Sequence, residues 1–108
     1  MTFAQEAENI AKSNGKTELV NSKTTGEYQF HFVTERTKES VEKAASYYTS
    51  NFTVDFDEAS NTATINMIEN DVTSRTIVAR FLAVNQVRFV EIDGTNVDMS
   101  VFIESYLK

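Results

Sequence analysis

Cysteine, proline and tryptophan are absent from the 108-residue sequence, which has three glycines and one histidine. The absence of cysteine excludes disulfides and thiolate metal sites, so packing must hold the fold together. Gly15, Gly26 and Gly94 are too dispersed to form a phosphate-binding loop. No apolar run approaches the roughly 20 residues needed to span a bilayer, and the first residues lack a secretory signal pattern. We therefore expect a cytoplasmic protein without membrane contacts, forming a single domain over residues 1–108.

The sequence has an acidic charge balance, with sixteen acidic and ten basic side chains and a formal net charge of −6. Affinity for nucleic acid depends largely on clustered lysine and arginine, so this balance argues against a phosphate-binding surface as the main function. The hydrophobic content of 41% is sufficient for an ordinary globular core.

The clearest pattern in the chain is the alternation of residues 27–33. Tyr28, Phe30 and Phe32 lie on one side of this segment, and Gln29 and His31 lie on the other side. A period of two is typical of a β-strand with one buried face. The segment therefore predicts a central strand whose aromatic face covers the core.

Helical and strand patterns alternate along the rest of the chain. A helix is predicted from Phe3 to the pair Asn14-Gly15, and strand 17–21 is expected to form a hairpin with the central strand. Further predicted elements are a helix capped by Thr34 or Thr37, a hairpin over 51–67, a helix over 72–85 capped by Asn70 or Asp71, a strand over 87–92, a turn over 93–96 and a last helix capped by Asn96 or Asp98.

This order predicts an α+β two-layer sandwich with a mostly antiparallel five-stranded sheet. Residues 27–92 spell β-α-β-β-α-β, the order of a ferredoxin-like core, with extra N- and C-terminal helices. A degenerate repeat of α-β-β units at an offset of 35 residues is the alternative. The strand order and the pairing of 17–21 stay open. The C-terminal helix is expected to cover the second sheet face or the same surface of a second subunit.

No motif in the sequence carries recognisable catalytic chemistry. His31 would need a partner to act as a general base, and a His31–Asp55 pair is conceivable because both side chains lie on the outward face. The acidic turn that begins at Asp55 has carboxylates at the first and third places of a calcium loop, but Ala59 and Ser60 occupy the fifth and sixth places, where an oxygen ligand and a glycine are needed. We therefore assign no catalytic, cofactor-binding or metal-binding residue. The outward face is the candidate interaction surface, represented by Gln29, His31, Asp55, Asn66 and Arg88, with Val90 and Ile92 on the same side.

A second candidate is an acidic surface made of Glu35, Glu39, Glu42, Asp57 and Glu58. Such a row can imitate a nucleic-acid backbone, although Arg36, Lys38 and Lys43 interrupt it. The sequence favours a small non-enzymatic protein–protein interaction domain, acting as a modulator or inhibitor of another protein or as an assembly component, with a possible homodimer. The alternatives are a nucleic-acid-binding domain that uses the sheet face and a DNA mimic that inhibits a DNA-binding protein. The Asn-, Thr- and Ser-rich composition suits an accessory protein of an AT-rich genome such as that of a large phage.

Overall fold

The computed structural model describes residues 9–108, and the first part of the predicted N-terminal helix, residues 3–8, lies outside these residues. The elements in chain order are β1 (Ile10–Lys12), α1 (Lys16–Thr25), β2 (Glu27–Phe32), α2 (Lys38–Ala45), a 3-10 turn (Ser46–Tyr48), β3 (Phe52–Asp57), β4 (Thr62–Met67), α3 (Val72–Val84), β5 (Phe89–Ile92), β6 (Thr95–Asp98), α4 (Met99–Phe102) and a π-helical turn (Ile103–Leu107). The predicted α+β class is confirmed.

The six strands form one mixed sheet in the order β3-β4-β2-β1-β5-β6. All neighbouring pairs are antiparallel except β1 and β5, which run parallel. The prediction of a five-stranded sheet was therefore wrong in the number of strands, and the sheet also contains a parallel pair. Two short strands, β1 and β6, were not predicted, and the predicted strand over 17–21 is a helix instead.

Strand β1 replaces the end of the predicted N-terminal helix. Ala11 lies opposite Phe32 of β2 on one side and opposite Val90 of β5 on the other, and its side chain is completely buried. The helical spacing of Ile10 and Ala11 is overridden here because hydrogen bonds to two neighbouring strands decide the backbone conformation of so short a segment.

Helix α1 replaces the predicted strand over 17–21, so the predicted first hairpin does not exist. The helix ends at Gly26, which adopts the left-handed conformation with φ 78° and donates its N–H to the Ser22 carbonyl at 2.8 Å. Its buried residues, Leu19 and Ser22, are three positions apart and so face the same side. The expected turn glycine is therefore a helix cap.

The aromatic row of β2 is the floor of the core, as predicted. Tyr28, Phe30 and Phe32 are buried. Helix α2 begins after Thr37, whose hydroxyl accepts the Ser40 N–H, and this confirms one of the two predicted caps. Helix α3 is likewise capped, through the carboxylate of Asp71.

The helices α2 and α3 and the C-terminal segment pack on the same side of the sheet. The ring of Phe81 in α3 contacts Phe52 at 6.0 Å between centroids, and Phe102 contacts Phe30 at 5.9 Å. The prediction that the C-terminal helix covers the second sheet face was therefore wrong. Its apolar residues pack instead against the face of the sheet that carries the aromatic row of β2, and there Phe102 and Leu107 are fully buried.

The sequence predicts the turn after β5 but not strand β6, which follows this turn. Asp93 and Gly94 both have positive φ values, 51° and 87°, which is the geometry of a type I′ hairpin turn. The carboxylate of Asp98 then accepts the Val101 N–H at 3.1 Å and caps α4. Within residues 9–108, none of the helices has the length and apolar character required to cross a membrane.

Candidate interaction surface

One face of the sheet is free of α2, α3 and the C-terminal segment, which lie on the opposite side. We call it the open face and define it by the outward side chains of the six strands. They are Ile10, Lys12, Glu27, Gln29, His31, Thr53, Asp55, Asp57, Thr62, Thr64, Asn66, Phe89, Glu91, Asn96 and Asp98. None of these residues is buried. The open face is mostly polar because the alternation of each strand sends its apolar side chains to the core.

His31 lies near the centre of the open face and is exposed. Lys12 of β1 lies opposite it on one side and Thr62 of β4 on the other, with 3.4 Å between His31 Nδ1 and Thr62 Oγ1. Lys12 in turn faces Glu91 of β5. The residues on either side of His31 therefore form a row of polar and charged side chains across the strands.

The conceivable His31–Asp55 pair is not formed. Asp55 lies on β3, and β4 runs between β3 and β2, so the two backbones are separated by two strand spacings, or about 10 Å. In addition, Asp55 pairs with Thr64, whereas His31 pairs with Thr62. Among residues 9–108, His31 therefore has no carboxylate partner of the kind expected for a general base.

Gln29 is held on the open face by hydrogen bonds to two neighbouring side chains. Its Oε1 accepts a hydrogen bond from Asn14 Nδ2 at 2.9 Å, and its Nε2 donates to Thr64 Oγ1 at 3.4 Å. Asn66 and Asp55 are exposed on the neighbouring strands. The structure thus brings four of the predicted surface residues to one face, namely Gln29, His31, Asp55 and Asn66.

Arg88 is the predicted surface residue that the strand pattern does not bring to this face. Strand β5 begins one residue after Arg88. The Arg88 N–H donates to the Asn9 carbonyl, and the Arg88 carbonyl accepts the Met99 N–H. Within β5, the outward residues are Phe89 and Glu91, so the placement of Val90 and Ile92 on the open face was wrong. Both of these side chains are buried in the core. The predicted alternation was shifted by one residue.

A polar groove of about 530 Å³ lies beside the open face, between α1 and the start of β2. Its lining consists of Asn14, Glu18, Asn21, Ser22, Thr24, Thr25, Glu27 and Gln29. Glu18 and Glu27 are the two carboxylates among them. In residues 9–108, no group of three or more His, Cys, Asp or Glu side chains is arranged to hold a metal ion.

The predicted acidic residues are exposed at the α2 side of the molecule, but several are engaged in local structure. The Lys38 N–H donates to Glu58 Oε2 at 2.8 Å, which attaches the β3–β4 turn to the start of α2. The Asp57 carboxylate accepts the Ala59 N–H at 3.1 Å. Lys38 Nζ also lies 3.9 Å from Glu42 Oε2. A lysine therefore lies among the carboxylates, so they do not form the uninterrupted acidic row of a DNA mimic.

The pKa values of two side chains, Tyr28 and Asp98, are shifted from their usual values by burial and by hydrogen bonding. Burial raises the pKa of Tyr28, on the core side of β2, to about 12. The pKa of Asp98 is lowered, chiefly because its carboxylate accepts a hydrogen bond from the Ser100 hydroxyl at 2.7 Å. Asp98 caps α4 at the border of the open face.

The backbone edge of β3 is a feature that the side-chain pattern did not reveal. The Ile68 N–H donates to the Asn51 carbonyl at 3.0 Å, which fixes the hydrogen-bonding phase of the β3–β4 pair. Because bonded and non-bonded pairs alternate in an antiparallel ladder, the N–H and C=O groups of Phe52, Val54 and Phe56 point away from β4. β3 is the terminal strand of the sheet over residues 9–108. Such an edge is visible only once the strand order is known.

No model of a known protein family matches the chain, and no match is found among curated proteins or among solved structures. Function must therefore be inferred from the surface of this protein itself. The open face and the β3 edge are the features available for that inference.

Proposed function

We propose that this protein is a small acidic, non-enzymatic protein–protein interaction domain, acting as a modulator of another protein or as an assembly component. The observation that carries the proposal is the open face, an unburied and mostly polar surface across all six strands. Five strand spacings make it about 24 Å wide. A surface of this width suits a protein partner better than a small ligand, which binds in concave sites.

The polarity of the open face supports a protein partner. Non-obligate protein interfaces are about as polar as the rest of the surface and rely on hydrogen bonds from fixed side chains. Gln29, held by Asn14 and Thr64, is such a side chain. Nucleic acid is less well matched, since Lys12 is the single basic residue of the open face and Phe89 its single aromatic one.

We also propose that residues 27–92 form a ferredoxin-like unit with an inserted strand. The order β2-α2-β3-β4-α3-β5 is the β-α-β-β-α-β order of that unit. In this interpretation β1 is inserted between β2 and β5. The insertion widens the sheet, and with it the open face, by one strand.

Affinity purification from cells that naturally produce the protein tests the proposed function. The double substitution His31→Glu and Asn66→Arg changes two exposed positions of the open face and preserves the net charge. Its matched control is Val72→Glu with Val84→Arg, at half-exposed positions near the two ends of α3, where the new charges also suit the helix dipole. Circular dichroism verifies that both proteins are folded.

We expect the wild-type chain and the α3 control to retain the same protein in stoichiometric amounts, and the open-face variant to lose it. The proposal is overturned if no protein is retained at that level, if the open-face variant retains it equally well, or if nuclease treatment removes what was retained. The last result would favour a nucleic-acid ligand.

A further inference from the structure

We propose that the open face docks against a basic surface of a folded protein, which presents lysine and arginine side chains across the width of the sheet. This inference rests on the proposed function and names the chemistry of the partner. The charge balance of the open face, the availability of its carboxylates and the polar groove at its margin support it independently.

The open face holds the whole acidic excess of the described chain. The sequence has sixteen acidic and ten basic side chains, and Glu6 and Glu8 precede the described residues, which leaves fourteen acidic and ten basic ones in residues 9–108. The acidic side chains of the open face are Glu27, Asp55, Asp57, Glu91 and Asp98. Its single basic residue is Lys12, so its formal charge is −4 with His31 neutral. The rest of residues 9–108 has nine side chains of each sign and is neutral.

The carboxylates of the open face are available to a partner. The side chains of Glu27, Asp55 and Glu91 form no hydrogen bond or ion pair within residues 9–108. The other two accept local hydrogen bonds, which leave their charge in place. Two ion pairs occur in the described chain, and both are in elements on the opposite side of the sheet, Lys38–Glu42 in α2 and Glu104–Lys108 at the C-terminal segment.

The carboxylates extend over the full width of the sheet. Asp55 on β3 and Asp98 on β6 lie on the two terminal strands of the sheet over residues 9–108, five strand spacings or about 24 Å apart. Glu27 lies on β2, between them. A standard interface of about 800 Å² per partner has a similar width, so a folded surface can contact all of these groups. Complementary charge would steer that surface to the open face and fix its orientation.

The groove between α1 and the start of β2 has the same charge sign. Glu18 and Glu27 line it, and none of its lining residues is a lysine or arginine. All other lining side chains are amides or hydroxyls. Two carboxylates among neutral polar groups suit a guanidinium or ammonium group at the end of a long side chain. We expect one arginine or lysine of the partner to enter this groove.

The face of β3 is accessible, whereas its backbone edge is largely covered. Phe52 and Phe56 are 0% and 2% exposed over the whole residue, backbone included. Half-buried Val54 is therefore the one edge position of the three that an added strand could reach. Asp55 and Asp57, which alternate with these residues, are exposed on the open face. The partner therefore contacts β3 through its outward side chains.

The charge of the open face also disfavours other occupants. A second copy of the chain would bring two open faces of formal charge −4 together, and like charges across an interface are costly. Nucleic acid has the same sign, and its affinity for proteins depends on lysine and arginine. The occupant we infer is therefore a protein with a basic surface.

Cytochrome c, a folded protein with a lysine-rich surface, serves as the probe in isothermal titration calorimetry with the full chain. Cytochrome c with acetylated lysines is its control, because acetylation removes the charge. We expect binding of the unmodified probe alone at about 50 mM ionic strength. Raising the ionic strength to about 200 mM should weaken this binding about tenfold, because salt screens exposed charges.

Glu27→Gln with Asp55→Asn removes two carboxylates of the open face that have no local partner. The matched control, Glu39→Gln with Glu42→Gln, makes the same charge change at exposed positions of α2, on the opposite side of the sheet. We expect the open-face variant to bind the probe about threefold or more weakly, and the control to differ from the wild type by less than about twofold. Circular dichroism verifies that both variants are folded.

Carboxyl footprinting locates the docked surface without substitution. Carbodiimide coupling of glycine ethyl ester labels accessible carboxylates, and a bound protein slows the labelling of those that it covers. We expect slower labelling of Glu27, Asp55 and Glu91 when cytochrome c is bound. Glu39 and Glu104, which are exposed on the opposite side of the sheet, should be labelled at an unchanged rate.

The inference is overturned by equal binding of acetylated cytochrome c, by equal losses in the two variants, by protection of Glu39 and Glu104 instead, or by no binding of the probe. A dimer of the chain that covers the open face would also overturn it. Failure of the inference is distinct from failure of the proposed function. If the native partner is lost with His31→Glu and Asn66→Arg but binds the Glu27→Gln and Asp55→Asn variant like the wild type, the interaction function stands and the partner surface is not basic.

Discussion

Phe102 packs edge-on against Phe30, with ring centroids 5.9 Å apart and ring planes at 78°. Both side chains are fully buried. Phe30 belongs to the middle of β2, so this contact makes the C-terminal segment a part of the core layer. The same contact leaves the opposite side of the sheet open.

Replacing Phe102 with alanine should therefore destabilise the whole domain. We expect the free energy of unfolding to fall by about 3–5 kcal/mol, because the substitution leaves a cavity in the core. Val101→Ala is the matched control, since its half-exposed side chain should change stability by about 0.5 kcal/mol or less. Urea denaturation measures both. Similar values for the two variants would contradict a core position for Phe102.

Asn61 joins the β3–β4 turn to the end of β2. Its side-chain amide donates to the carbonyls of Phe32 and Thr34 at 2.7 and 3.0 Å, and its Oδ1 accepts the Arg36 N–H at 2.9 Å. Its backbone is left-handed, with φ 59°. Asn61 thus stabilises the connection between this turn and β2 in two ways, through the hydrogen bonds of its side chain and through its tolerance of a left-handed backbone.

Two substitutions at this position should separate these contributions. Asn61→Ala is expected to cost about 2–4 kcal/mol, from three lost hydrogen bonds and the strained backbone. Asn61→Gly loses the same bonds without the strain, so it should be more stable than the alanine variant by about 1 kcal/mol. Thermal and urea denaturation provide the comparison. A glycine variant as stable as the wild type would show that the side-chain bonds contribute nothing.

The Tyr28 hydroxyl is buried and has no hydrogen-bond partner in the described part of the chain, residues 9–108. Burial raises the pKa of Tyr28 from 10.0 to about 12 despite the opposing charge of Arg75. The folded-state pKa is higher than the unfolded one, so ionisation of Tyr28 favours the unfolded state. Below pH 10 the free energy of unfolding is unaffected by this group, and it falls by roughly 2–3 kcal/mol as the pH rises from 10 through about 12.

Tyr28→Phe should therefore be neutral or slightly stabilising at about pH 7, because it removes a buried polar group that has no partner. Between pH 10 and 12 the wild type should lose stability relative to the variant, and the difference between the two urea curves isolates this residue from other titrating groups. A wild-type advantage that persists over this range would contradict the unpaired state of the hydroxyl.

Gly15 and Gly94 share a strained backbone conformation but differ in the space available to a side chain. Both have positive φ values, 107° and 87°, but a Cβ at Gly15 would lie 2.9 Å from Asp93 Oδ1, whereas one at Gly94 would meet nothing within 4 Å. Gly94→Ala should cost about 1 kcal/mol from the backbone alone. Gly15→Ala should cost more, because the Asp93 carboxylate that contacts the start of α1 must also move. Equal losses in urea denaturation would contradict this crowding.

The elements with unbroken side-chain periodicity could be predicted from the sequence. The alternation in β2, β3 and β4 correctly placed Gln29, His31, Asp55 and Asn66 on one face, and Thr37 and Asp71 were recognised as caps. Local pattern was sufficient in these cases because each segment buries one whole face. The functional role of that face stays a prediction.

The remaining elements depend on contacts that a local pattern does not contain. The segment Ile10–Lys12 is too short to show a period, and it becomes a strand only because β2 and β5 lie on either side of it. Helix α1 buries only Leu19 and Ser22, and its β-branched residues resemble a strand. The strand order, and with it the β3 edge, follows from these two elements and so could not be predicted.

The central position of β1 has a consequence for the order in which the domain can assemble. During synthesis β1 can pair with β2 early, but its other edge must wait for Phe89–Ile92, close to the end of the chain. Pairings between segments so distant in sequence form slowly. The first strand of the described sheet in chain order is thus among the last to be completed. We expect nascent chains that end before β5 to expose an unpaired edge in what later becomes the middle of the sheet.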